Sequence, residues 1–249
     1  MSWKLVSRWP VLAGGPAAVL LQVAHPSVGA GVADHSTYGT DPFGRLERTL
    51  LAMLSISFGS PERREEVLAQ LRQVHRGITG TRADGIEYRA LEPDLQLWVW
   101  ATLIHVALEV ERRYVHELRP DERRRYYLES TELARAFRVP EAMIPRDLDA
   151  FDAYVADTAR SLEVTDDARR VAREVLRPHV WWAPRPLFVP VSWVTVDLLG
   201  DRLSREFGLP RLGDAPRRVL RGTKRVTRTV LPRLPDALLA NPLNRRAIA

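Results

Sequence analysis

Apolar positions along the chain recur mostly at the three- and four-residue spacing of a helix face, and the strict alternation of a half-buried strand is scarce. Residues 17–24 form an apolar run that Pro16 can open and that His25-Pro26 closes. Residues 34–44 (DHSTYGTDPFG) carry turn chemistry and read as a loop. From Arg45 to Phe58, the residues Leu46, Thr49, Leu50, Met53, Leu54 and Ser57 share one helical face, and Gly59-Ser60-Pro61 ends the element. Ser60 is placed to cap a helix starting at Pro61, with Val67, Leu68, Leu71, Val74 and His75 turned inward and residues 63–66 outward.

After a polar stretch read as a loop (TRADGIEYRALE, 81–92), Pro93 opens the most apolar helix of the chain, LQLWVWATLIHVALEVERRYV. It is hydrophobic nearly all round, which places it in the middle of a bundle. Residues 121–137, 147–162 and 165–176 read as amphipathic helices, the last capped by Thr165. The proline-rich stretch 179–193 reads as loop up to Trp193, with a helix following to Phe207. With no repeat and no linker-like boundary, the expected architecture is a single all-α domain over residues 1–249, a multi-helix bundle.

Composition adds constraints to that outline. Of 249 residues, 45% are apolar and 27% charged, which is enough for a sizeable core. There are no cysteines, so a thiol nucleophile, thiolate metal sites and disulfides are excluded. The net charge of +6 is uneven: residues 211–249 hold ten Arg/Lys against Asp214 and Asp236, a net +8 that leaves the rest at −2. No aromatic residue lies in 211–249, so stacking on single strands is unsupported and no nucleic-acid partner is expected. Peripheral membrane contact through this basic segment fits its charge. The uncharged run between Arg8 and Asp34 mimics a secretory signal, but Gly14-Gly15-Pro16, Gln22, His25 and Pro26 interrupt it. A buried core helix, no transmembrane segment and a cytoplasmic rather than secreted protein are the expectation.

Candidate chemistry rests on six histidines. His25, His75 and His105 have apolar surroundings, His35 lies in a polar loop, His116 among charges, and His179 beside Trp181-Trp182. His105 and Glu109 share a helix face, but a carboxylate-bridged dimetal site needs repeated Glu-x-x-His motifs, and none occurs. Arg72 and His75 share another face, and Arg45, Arg48 and Thr49 crowd one turn of the preceding helix. Cations and a hydroxyl beside aliphatic residues call for anions. An apolar cofactor with two carboxylates meets that need; arginines snorkelling to the surface or pairing with Glu47 are the alternative.

The ordered motifs GGPAAVLLQVAHP, VADHS, DPFGRLERTL, VHRGITG, ALEPDLQLWVWATLI and RRRYYLES are similar to the catalytic domain of rubber oxygenases (latex-clearing proteins) and MpaB-type oxygenases, from about Trp9 to the ALLANPLNRRA segment. That resemblance implies an all-α fold with a haem pocket between helices, haem b bound through a histidine, and dioxygen as co-substrate. It places the iron ligand at His75 and a propionate-pairing arginine at Arg72. Arg45, Arg48 and Thr49 stand for the family's Arg-x-x-Lys-Thr, with Arg48 in the lysine position, and His25 is implied to line the cavity. Where many members have histidine, this chain has Trp100, expected to narrow or dry the pocket, while Thr102 is kept. The implied activity is a haem-dependent oxygenase or oxidase acting on a small hydrophobic, unsaturated substrate, C=C cleavage included. A haem or apolar-ligand binder without turnover, and a nucleic-acid or membrane module using the basic segment, are the competing readings.

Overall fold

A computed structural model of the protein describes residues 8–35, 42–177 and 188–241. The chain enters through a 3-10 turn, Trp9–Gly14, and two helices, α1 (Gly15–Val23) and α2 (Pro26–His35). A helical hairpin follows, α3 (Pro42–Phe58) and α4 (Pro61–Arg76), then two short strands, β1 (Thr79–Thr81) and β2 (Glu87–Arg89). Helix α5 (Pro93–Val110) runs into a single π turn, Glu111–Val115, before α6 (Pro120–Ala136), α7 (Leu148–Ser161) and α8 (Asp166–Leu176). The described chain ends with α9 (Val189–Leu199), α10 (Asp201–Glu206), α11 (Asp214–Val230) and a last turn, α12 (Asp236–Leu239). The all-α bundle is therefore observed.

Helix α5 is central because nearly every face of it is apolar. Leu97, Trp98, Trp100, Ala101, Ile104 and Val110 are all at most 4% exposed, and α1, α6, α7 and the Trp9–Gly14 turn pack around it. The approach at Gly14 admits no side chain: a Cβ there would sit 2.5 Å from Val106 Cγ1 and 2.7 Å from Val110 Cγ2. Ser60 Oγ accepts from Arg63 N and Thr165 Oγ1 from Ala168 N, both at 3.2 Å, so both caps sit where the pattern predicts them.

The structure departs from the pattern in several places, among them residues 34–35 and 42–44 of the expected loop, which are helical, and residues 189–193, which open α9 instead of continuing the proline-rich loop. His25-Pro26 closes the first helix as expected, α1 ending at Val23, but Pro26 then opens a second helix, α2, whose buried Gly29 lies against Ala168 of α8 and whose Gly31 lies against Tyr88. The polar stretch 81–92 contains β2, which pairs antiparallel with β1 in the register Gly80↔Tyr88. Tyr88, 1% exposed, donates its hydroxyl to Asp34 Oδ2 at 2.8 Å. Strands of three residues are too short to show alternation, and their stability comes from that long-range anchor. The helix expected up to Phe207 is broken at Gly200, whose φ of +79° separates α9 from α10. Finally Val74, expected inward, is 63% exposed. Residues 36–41 of the expected loop, and 178–187 of the proline-rich stretch with His179, lie outside the described residues.

No single described helix is long and apolar enough to cross a membrane; the Trp9–Val23 and Pro26–His35 stretches, long enough together, are bent by 110°.

Candidate functional site

Only Gly59 and Ser60 connect α3 to α4, so the hairpin doubles back and the last turn of α4 returns beside the first turns of α3. That geometry brings His75 to Arg45. Burial lowers the His75 pKa first, and the adjacent Arg45 guanidinium lowers it further, so the imidazole is neutral at pH 7. A neutral imidazole is the form that ligates iron. The ring is half-buried, and neither of its nitrogens has a hydrogen bond among the described residues, so the second-nitrogen bond expected of a metal-bound histidine is not formed here. Arg45 and Arg72 are half-buried, and Arg48 and Thr49 are exposed. Arg45, Glu47 and Arg48 all have interaction partners.

An apolar cavity of about 410 Å³ begins on the same side of α3. Met53 and Ile56 line it, and Arg45 and Thr49 precede them at helical spacing, so one stripe of α3 runs from the cationic end of the hairpin into the cavity. Leu103, Ile104, Val106 and Ala107 of α5 form the opposite wall, and Tyr126, Ser130 and Leu133 of α6 the floor. The hairpin flanks it through a small separate core, Ile56, Val67 and Leu68 packed with Leu133 and Phe137. Arg64, in the first turn of α4, lies at its edge and donates to Glu132 O at 3.5 Å.

Other candidate residues lie elsewhere. His25 is not among the lining residues; burial lowers its pKa, with Asp94 opposing and Arg82 adding to the shift, and its buried Nδ1 has no hydrogen-bond partner among the described residues. Trp100, fully buried, packs with Phe151 and Tyr127 and donates Nε1–H to Ser130 O at 2.9 Å. It therefore reaches the cavity only through the backbone of a lining residue and does not narrow it. Thr102 is buried, and its hydroxyl donates to Val99 O at 2.8 Å, within its own helix. His105 borders a second cavity of about 340 Å³ with Glu109, Arg123 and Asp152. Glu109 is locked: although desolvation alone would raise its pKa, hydrogen bonds from Arg112 and Arg113 hold it near 2. Among the described residues no group of three or more His, Asp or Glu could hold a metal ion.

That last observation bears on the haem expectation. A metal held by side chains alone needs several ligands, whereas iron in a macrocycle needs one imidazole, an apolar slot and cations for two carboxylates. Neutral His75, exposed apolar Val74 beside it, and Arg45 and Arg72 on facing helices fit that donor set.

The motif RRRYYLES carries no role in sequence, yet its Tyr126 lines the cavity with a buried hydroxyl that has no hydrogen-bond partner among the described residues. The neighbouring Glu111 was also missed. It opens the π turn, is 6% exposed, and its Oε1 lies 2.7 Å from Nδ1 of the half-buried His116 without hydrogen-bond geometry between them. Burial raises the Glu111 pKa to about 7, against the pull of Arg8 and with help from Glu122. The stabilising form is thus the protonated acid: its contribution is complete below the unfolded value near 4.5 and is lost as pH rises through 7. Glu111→Gln keeps a donor toward His116 and never ionises. Its melting temperature is expected to match the wild type near pH 5 and to exceed it by roughly 5 °C at pH 8. Equal melting temperatures at pH 8 would show that the buried carboxylate carries no penalty.

Comparison with known proteins places the chain in a family. A family model described as ER-bound oxygenase mpaB/B'/rubber oxygenase, catalytic domain, matches residues 3–229. Uncharacterized proteins of Mycobacterium bovis and Mycobacterium tuberculosis are each 29% identical over 177 residues, covering 69% of this chain and 69% of the relative. No solved structure matches the chain.

Proposed function

The chain belongs to the mpaB/rubber oxygenase catalytic-domain family, and from that membership we propose that it is a haem-b-dependent oxygenase acting with dioxygen on a small hydrophobic, unsaturated substrate. The observation that carries the reading is the stripe of α3 that joins a cationic, imidazole-bearing hairpin end to an apolar cavity. Haem b, when bound, supplies an iron centre at which dioxygen can be activated. His75 provides the imidazole that holds it, in the unprotonated state ligation requires. Arg72 and Arg45 offer guanidinium groups to its carboxylates, bonds that are charge-assisted and geometrically selective. Thr49 offers a hydroxyl one turn beyond Arg45 on the path to the cavity. Arg48, a guanidinium and not an amine, serves as a cation and not as an iron ligand. The aliphatic walls from α3 and α5 exclude water and receive an apolar substrate, and a volume of about 410 Å³ suits a small molecule rather than a polymer chain.

The test is an absorption spectrum of the purified protein after expression with haem precursor. A Soret band that shifts on dithionite reduction, and again with carbon monoxide, is the expected result. A band that ignores carbon monoxide favours a haem-binding protein of this fold without turnover. No band after hemin titration overturns the haem assignment.

A further inference from the structure

Helix α11 is docked along one stripe and open along the next. Leu220 is 5% exposed, Lys224 Nζ pairs with Asp197 Oδ1 at 2.7 Å, Thr227 is half-buried, and Leu231, just past the helix, is 6% exposed. These positions recur every three to four residues and hold the helix against the π turn and α9. One residue before each lie Val219, Thr223, Val226 and Val230, and the three valines are 52%, 60% and 44% exposed. The apolar arc of α11 is therefore about twice as wide as the body covers. On the far flank of the outward face stand Arg218, Arg221 and Arg225, all exposed, with Gly222 and Thr229 between the two rows.

We propose that this face of α11 lies on an anionic lipid surface, with the valines entering the boundary between headgroups and acyl chains and the arginines meeting lipid phosphates. An exposed apolar row alone names no partner; its pairing with a row of arginines does. Interfacial helices combine these two features, since burial of the apolar row and attraction to anionic headgroups act together. The charge is local, because residues 211–249 carry net +8 and the remaining chain −2, so the attraction also orients the molecule with α11 toward the surface. A nucleic acid would use the arginines but leave the valines in water, and α11 has no aromatic side chain to stack on bases. A second copy of the chain would bring like charge against like. The proposal rests on α11 alone and is independent of the oxygenase reading.

The full chain is tested by co-sedimentation with phosphatidylcholine vesicles, with and without phosphatidylglycerol. Binding is expected only with the anionic lipid and should weaken as salt is added. The triple variant Arg218→Gln, Arg221→Gln, Arg225→Gln should lose roughly 100-fold in partitioning, at about fivefold per arginine. The double variant Val219→Ser, Val226→Ser should lose about tenfold with an unchanged melting temperature, because both side chains are exposed. Absence of binding to anionic vesicles overturns the proposal. So does binding insensitive to the valine changes, and if the same protein is retained on duplex DNA the face is a nucleic-acid surface.

Discussion

His75→Ala is expected to purify with haem content at or below about a tenth of the wild type, a loss of at least ~1.4 kcal/mol in affinity, while its melting temperature in the absence of haem changes little. The asymmetry follows from where the residue sits. His75 lies in the last turn of α4, half-buried, without a hydrogen bond among the described residues, beside Val74 which is 63% exposed. Alanine is the better helix former, so the backbone tolerates the change. Removing the imidazole also removes the desolvated ring that Arg45 faces, which relieves the hairpin rather than straining it. Haem content by pyridine haemochrome and thermal unfolding by circular dichroism measure the two quantities separately. Full haem occupancy in this variant would move the ligand elsewhere, with His25 next because its buried Nδ1 lacks a partner among the described residues, and His105 after it.

Trp100→Ala is expected to show the opposite balance, a loss of about 4 kcal/mol in stability, read as a fall in melting temperature of roughly 10 °C or more. Trp100 is fully buried, and its ring packs edge-on to Phe151 at 5.5 Å between centroids and against Tyr127 at 6.1 Å. Alanine leaves a void between α5, α6 and α7 that these large neighbours cannot collapse to fill. Trp100→Phe separates the terms: it keeps an aromatic ring in the cluster and loses only the Nε1–H bond to the Ser130 carbonyl, at a cost of about 1 kcal/mol plus the smaller ring. If phenylalanine were as damaging as alanine, the hydrogen bond and not the packing would be the dominant contribution. Since Trp100 does not line the cavity, neither variant should alter ligand binding at temperatures where it is folded.

Much of this protein was legible before its structure because its helices are long and their apolar faces periodic. The all-round apolarity of residues 95–110 announced a central helix, and α5 is central; Ser60 and Thr165 announced caps, and both accept the bonds expected of them. The grouping of His75 with Arg72, and of Arg45 with Thr49, was also legible, because residues on one turn of one helix are neighbours by geometry.

What local order could not reveal is which faces of different helices meet. The motif containing Trp100 looked like a pocket wall in sequence, yet the helix turns that side toward α6 and α7 and offers Leu103, Ile104 and Ala107 to the cavity instead. Glu111 carries no signal in the sequence that sets it apart from the other acidic residues; burial raises its pKa to about 7. The basic C-terminal segment showed its charge but not that α11 docks by one row and leaves an adjacent valine row open. The sequence by itself determined the helices, their caps and the residue types within each turn, since these depend on contacts three or four residues apart. Only the tertiary structure decided the cavity, the pairing of His75 with Arg45 across the hairpin and the buried acid, because burial and desolvation depend on what the rest of the chain places against a side chain.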